Sequence, residues 1–115
     1  RERGLVMVLC DTHDRPELQD EYLREMQAQQ ACAIVLLAAV DSPMLAAMRE
    51  GPTPLIFVNR RDPGGGAASL YVGIDNVAAG QAVADHCLSR GFRSIGLIHG
   101  PLFSSATADR VTGFL

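Results

Sequence analysis

Apolar residues along this chain gather into short unbroken runs rather than strict alternation. Leu5 to Cys10 is the first run, Ala33 to Val40 the second and Pro54 to Val58 the third. Runs of that length without polar interruption fit strands covered on both faces, the habit of a parallel sheet. Between the first two, Pro16 to Gln30 is rich in helix formers, opens on a proline suited to a first turn and carries Glu17 just inside it. Leu18, Tyr22 and Met26, four apart, with Leu23 beside them, predict the buried stripe of that helix. Asp41-Ser42-Pro43 predicts the cap and first turn of a short helix over Met44 to Glu50, which Gly51-Pro52 ends.

After the third run come the polar Asn59, Arg60, Arg61 and Asp62, then Pro63 and three glycines, and Leu70 to Ile74 reads as a fourth strand. A long helix follows over Asn76 to Arg90, with Val77, Gly80, Val83, Ala84, Cys87 and Leu88 on one side and Gly91 closing it. Its small residues Ala78, Ala79, Gly80 and Ala82 allow close packing. Ser94 to His99 is the next expected strand, Gly100-Pro101 breaks it, and a last helix starts at Ser104 or Ser105 and runs toward Leu115. Strands alternating with helices give an α/β architecture built from βαβ units. Pro63 to Ser69 is linker-like in composition, so a crossing between two lobes is expected just after it.

With 48% hydrophobic and 20% charged residues, the chain has the balance of a folding sequence. Its core must come mainly from Leu, Ile, Val and Ala, because the aromatics are two Tyr and four Phe. All ten basic residues are arginines, scattered through a chain of net charge −3. That distribution argues against a surface made to coat nucleic-acid phosphates or anionic lipid, so any DNA contact must come from elsewhere. No apolar run approaches the roughly 20 residues of a membrane span, and no membrane association is expected. Cys10, Cys32 and Cys87 are odd in number and far apart, which fits reduced thiols in the cytoplasm better than a disulfide framework.

Catalytic chemistry is hard to assemble. Gly64-Gly65-Gly66 leads into a strand instead of opening a helix, and neither G-x-G-x-x-G nor a Walker lysine is present. His13, His86 and His99 lack cysteine or acid partners at zinc-ligand spacing, so no metal and no cofactor are expected. Ser104-Ser105 has no nucleophile-elbow context. An enzyme is therefore not the reading. The informative positions sit at the carboxyl ends of strands, where open α/β sheets place a ligand crevice. Asp11, Asp14, Ala39, Asp41, Asn59, Arg60, Arg61, Asp75 and the loop His99 to Ser105 all fall there and suit a small polar ligand. For Asp11, Asp14 and Asp41, a helix cap or solvated loop accounts for the residue better than a ligand does. Arg110 stands apart: a guanidinium in the first turns of a helix opposes the dipole and needs a partner. Either a ligand or a neighbouring carboxylate, Asp75 or Asp109, would serve.

Asp75-Asn76, Gly80, Ala84, Leu88, Gly91, Ile95, Gly100, Arg110 and Gly113-Phe114 together resemble the effector-binding domain of the lactose/galactose repressor family of bacterial transcription regulators. Ala33 to Leu37, Pro54 to Arg60 and the helix from Pro16 resemble the same family's first lobe less sharply. The resemblance implies a two-lobed periplasmic-binding-protein-like fold of parallel sheets flanked by helices, with residues 1–70 part of the first lobe and 71–115 the start of the second. It implies a sugar-like or other small effector in the inter-lobe cleft, a homodimer, and DNA contact only through a headpiece outside this chain. Carried over by position, the ligand contacts would be Arg110, Ser104, Ala106, Asn59 and Ala39, with Asp75 a cap and hinge residue. The chain departs from the family's pattern at Asn59, where an acid is usual, at Phe92, where His is usual, and at Ala33, where Gly is usual. A periplasmic solute-binding protein of the same architecture is the alternative, and a flavodoxin-like enzyme domain a weaker third.

Overall fold

A computed structural model describes residues 3–65 and 69–115. Gly66 to Ala68, in the middle of the linker-like stretch, lie outside the described residues, as do Arg1 and Glu2. Elements follow the order α1 (Pro16–Ala28), β1 (Ile34–Leu36), α2 (Pro43–Arg49), β2 (Leu55–Val58), β3 (Leu70–Val72), α3 (Asn76–Ser89) and α4 (Ser105–Phe114). The three strands form one parallel sheet in chain order, with Val35 opposite Ile56 and Phe57 opposite Tyr71. β3 therefore belongs with β1 and β2, and the chain leaves this sheet only at Gly73 to Asp75.

Phe57 and Leu45 are fully buried at the centre of the first body, packed with Leu23, Ala39 and Met48, and Ile34, Leu36, Met44 and Leu55 close around them. Helices α1 and α2 thus cover one face of the sheet. The other face is open among the described residues: Val35, Leu70 and Val72 are exposed. Neither Leu5 to Cys10 nor Ser94 to His99 forms a ladder, contrary to the strands expected there, and Val6, Met7, Leu9 and Ile98 lie open to solvent. A strand exists only through pairing, and among the described residues neither segment has a neighbour to pair with.

Helix α1 starts where Pro16 predicts it, but its buried side is Gln19, Asp20 and Leu23, while Leu18, Tyr22 and Met26 are only half-buried. Gln19 explains the shift. Its Nε2 donates to the Val40 carbonyl and to Ser42 Oγ, each at 2.8 Å, and its Oε1 accepts from the Val40 N–H at 3.0 Å. The amide thereby satisfies a backbone residue beyond β1 that no strand pairs, and steadies the serine that caps α2 at Leu45. Hydrophobic periodicity does not register a buried residue of this kind.

A second polar fastening holds the segment after β2. The Arg49 guanidinium meets Asp62 through Nε and through Nη2 at 2.6 Å, while Asp62 also accepts from the Gly64 N–H at 2.9 Å and from Ser69 Oγ at 3.0 Å. Burial pushes the Asp62 carboxyl up, but Arg49, Gly64 and Ser69 outweigh it and hold the carboxyl below its ordinary range.

The second body is the α3–α4 pair. Asp75 caps α3 by accepting from the Ala78 N–H at 2.9 Å, and Gly91 follows its end with φ of +88°. The two helices touch backbone to backbone: a Cβ added at Gly80 would overlap the Arg110 carbonyl oxygen, and one at Gly113 the Val77 carbonyl oxygen. The molecule is elongated, with a radius of gyration of 17.3 Å, against roughly 13 Å for a compact chain of about 100 residues.

Two substitutions test this packing. Gln19→Leu is expected to destabilise by about 1–3 kcal/mol for each Val40 backbone group left unpaired, read from denaturant melts; an unchanged midpoint would remove the clamp from the account. Gly80→Ala is expected to cost about 1–3 kcal/mol through overpacking against Arg110, and wild-type stability in that variant would contradict the close crossing.

Candidate functional site

The carboxyl end of β2 turns sharply. Asn59 takes a left-handed backbone, φ 62°, which asparagine tolerates better than most residues. Its N–H donates to the Val72 carbonyl at 2.8 Å, so the turn is tied to β3 as it leaves the sheet. His13 and Asp14, beyond the first apolar run, are left-handed as well. Arg60 then donates to Asp14 Oδ1 at 2.8 Å, and the same nitrogen lies 3.5 Å from the Ala39 carbonyl. Three loops at this end of the sheet are joined by that one guanidinium.

Opposite lies the start of α4. Arg60 sits 5.8 Å from the ring centre of Phe103, within reach of a cation–π contact. The Arg61 N–H donates to Ser105 Oγ at 2.7 Å, and its guanidinium grips both carboxylate oxygens of Asp109, Nη2 to Oδ1 at 3.0 Å. That guanidinium holds the Asp109 carboxyl below its ordinary range against a weaker opposing effect of burial. Arg110 donates through Nε to Asn76 Oδ1 at 2.8 Å, and Asn76 Nδ2 donates to Asn59 Oδ1 at 3.2 Å. Asn59 and Arg110, far apart in sequence, are thus one side chain apart in space.

Ser104 is the buried N-cap residue of α4, with no side-chain capping bond, and Ala106 is buried in its first turn. Ala39, 2% exposed, packs its methyl into the first body's core and turns its carbonyl toward Arg60. Neither acid expected beside Arg110 is its partner: Asp75 caps α3 and Asp109 is taken by Arg61. The sequence pattern places Phe103 and Ser105 in a candidate loop, but it does not mark Asn76 as a site residue and gives Arg61 no partner. Arg61 and Asp109 lie 48 positions apart, and no local pattern links them.

A cavity of about 380 Å³ opens beside Arg110, lined by Gly80, Val83, Leu97, His99, Thr107 and Phe114 among others. Its walls come from residues 79–114 and include Arg110, so that arginine borders both this cavity and the contact with Asn76. His99, at its rim, lies with Nδ1 2.6 Å from the Gly100 carbonyl oxygen. Among the described residues no cluster of His, Cys, Asp or Glu could hold a metal ion, and no helix is long and apolar enough to cross a membrane.

At this end, then, a parallel sheet meets a helix pair through Asn59, Arg60 and Arg61. The family described as periplasmic binding proteins and sugar binding domain of LacI family matches residues 1–115. The chain belongs to this family. Among curated members it is 29% identical over 118 residues to the HTH-type transcriptional regulator PtxS of Pseudomonas aeruginosa, and 26% identical over 116 residues to the HTH-type transcriptional repressor PurR of Proteus mirabilis. Those matches cover 99% and 98% of this chain but 33% of each relative, so the chain spans about a third of their length. The fold matches the crystal structure of the Cra transcriptional dual regulator from Pseudomonas putida in complex with fructose 1-phosphate, with a TM-score of 0.85 at 24% identity over 98% of this chain and 42% of that one. The family match and this likeness together give the chain a periplasmic-binding-protein-like fold.

Asp62 and Asp109 both ionise more readily in the folded protein than in the unfolded chain. The stability they add is complete above the ordinary carboxylate range and is lost as pH falls through their depressed values. Thermal melting as pH drops below about 5 is expected to show a shallower loss of stability in Asp62→Asn with Asp109→Asn than in wild type. An identical acid profile would mean that other carboxylates control it.

Proposed function

We propose that this chain is the effector-sensing portion of a cytoplasmic, DNA-binding transcriptional regulator and performs no catalysis. Its ligand is a small polar molecule of the sugar class, held in the crevice between the carboxyl end of the β1-β2-β3 sheet and the start of α4. Residues 1–70 with the remainder of β3 form part of the first lobe, and the crossing at Gly73 to Asp75 leads into the second. Arg110 contacts the ligand from the second lobe, with Ser104 at the head of α4 and Ala106 in its first turn beside it. Asn59 faces it from the first lobe, and Ala39 contributes through its backbone.

What carries the reading is the convergence of Arg110 and Asn59 on opposite walls of one crevice, bridged by Asn76. A planar five-donor fork suits vicinal hydroxyls or a carboxylate, and the terminal nitrogens of Arg110 are uncommitted among the described residues. A ligand that binds closed and open lobe arrangements unequally shifts their equilibrium. In a homodimer carrying DNA-binding headpieces, that shift alters operator binding. The solute-binding alternative draws on the same family description, and a helix-turn-helix encoded upstream separates the two readings, since a secreted binding protein would carry a signal peptide there instead.

Thermal-shift screening of the full-length protein with a panel of sugars, sugar phosphates and sugar acids should find a stabilising compound. At a hundredfold excess over Kd, such a compound adds about 2.7 kcal/mol to stability. Arg110→Ala is expected to abolish most of that shift, and full stabilisation in the variant would overturn the role given to Arg110.

A further inference from the structure

Asn76 is 3% exposed at the first position of α3, and capping does not account for it, because Asp75 already satisfies the free Ala78 N–H. Its amide lies between the two residues assigned to the ligand, and their chemistry dictates its orientation. A guanidinium has donors only, so the atom 2.8 Å from Arg110 Nε must be the carbonyl oxygen of Asn76. The Asn76 NH2 group is therefore turned to Asn59, 3.2 Å away, where it requires an acceptor. Asn59 must in turn present its own oxygen to Asn76, which directs its NH2 group away from Asn76. One donor-only group thus sets two amides in sequence.

We infer that Asn76 is a positioning residue that makes both walls of the crevice hydrogen-bond donors, so that the ligand must present acceptor oxygens to Arg110 and to Asn59 at once. With Nε occupied, Arg110 keeps its two terminal nitrogens for the ligand, and Asn59 keeps Nδ2; among the described residues none of these has a partner. Ligands carrying carboxylate, phosphoryl or carbonyl oxygens at these two points are favoured over those that need to donate a hydroxyl proton to position 59. An aspartate at 59 would invert the first-lobe wall, since one carboxylate oxygen would accept from Asn76 and the other would face the ligand as an acceptor. The inference rests on Arg110 and Asn59 being the ligand contacts, but the orientation itself exists without ligand and is tested without it.

The test is NMR on the ligand-free full-length protein, labelled with nitrogen-15 at arginine and asparagine. Exchange of the Arg110 Nε–H with water is expected to be slower than that of the exposed Arg24 by about tenfold or more. Asn76→Ala should abolish that protection. Asn76→Asp should keep it, because a carboxylate oxygen replaces the amide oxygen. In Asn76→Asp the Asn59 amide must also flip to donate, so its NH2 protons become protected and their shifts move. Equal exchange at Arg110 and Arg24 in the wild type would overturn the inference, as would retained protection in Asn76→Ala or an unmoved Asn59 amide in Asn76→Asp. Should Asn76→Ala fail to fold, the wild type and Asn76→Asp decide the question. Loss of a thermal shift in Arg110→Ala is a separate reading, so failure of one leaves the other standing.

Discussion

The backbone turns left-handed at Asn59, and the four side chains that leave β2 there are each committed to a different part of the molecule. Asn59 meets the start of α3, Arg60 meets the loop after the first apolar run, Arg61 meets α4, and Asp62 folds back onto α2. A strand continuing in extended conformation would send successive side chains to alternate faces, and these four contacts could not form together. The positive φ at one asparagine is what redirects them. Both the integrity of the first body and its attachment to the second depend on that turn.

These four contacts differ in kind. Asp62 is fastened by three partners inside one body and is buried, so its bonds contribute to stability within that body. The Arg61 contacts cross from one body to the other and are partly open to solvent, where ion pairs are weak and screened by salt. Buried bonds within the first body and partly exposed ones between the bodies make the contact between them the easier one to break. The hydrophobic core adds to the contrast, since Phe57, Leu45 and their neighbours all lie within the first body and none spans the crevice.

Much of this was legible in the sequence. Proline and serine at the starts of α1 and α2, aspartate before α3 and glycine after it mark local events, and the structure places each helix within a residue or two of the expected position. The parallel strands around Ile34, Ile56 and Tyr71 were legible because unbroken apolar runs require cover. The segments Leu5 to Cys10 and Ser94 to His99 carry the same pattern without a ladder, which shows that apolarity announces a need for burial rather than its fulfilment. Gln19 was missed because a buried amide is polar in sequence and indistinguishable there from a solvated one. Arg110 stood out as a cation at an unfavourable helix position. Charge alone points to an acid as its partner, whereas a neutral amide holds it and both nearby acids are engaged elsewhere.

The close crossing of α3 and α4 bears on mechanics as well as on packing. Gly80 rests against the carbonyl of Arg110 itself, and Gly113 against that of Val77, so the two helices are in register at two points along their length. Two points of backbone contact remove both sliding and rotation of one helix against the other. A force applied at the Arg110 guanidinium therefore cannot be absorbed by α4 alone. It passes to α3 and to the Gly73 to Asp75 segment at its head, so that the pair carries a load as one stiff body.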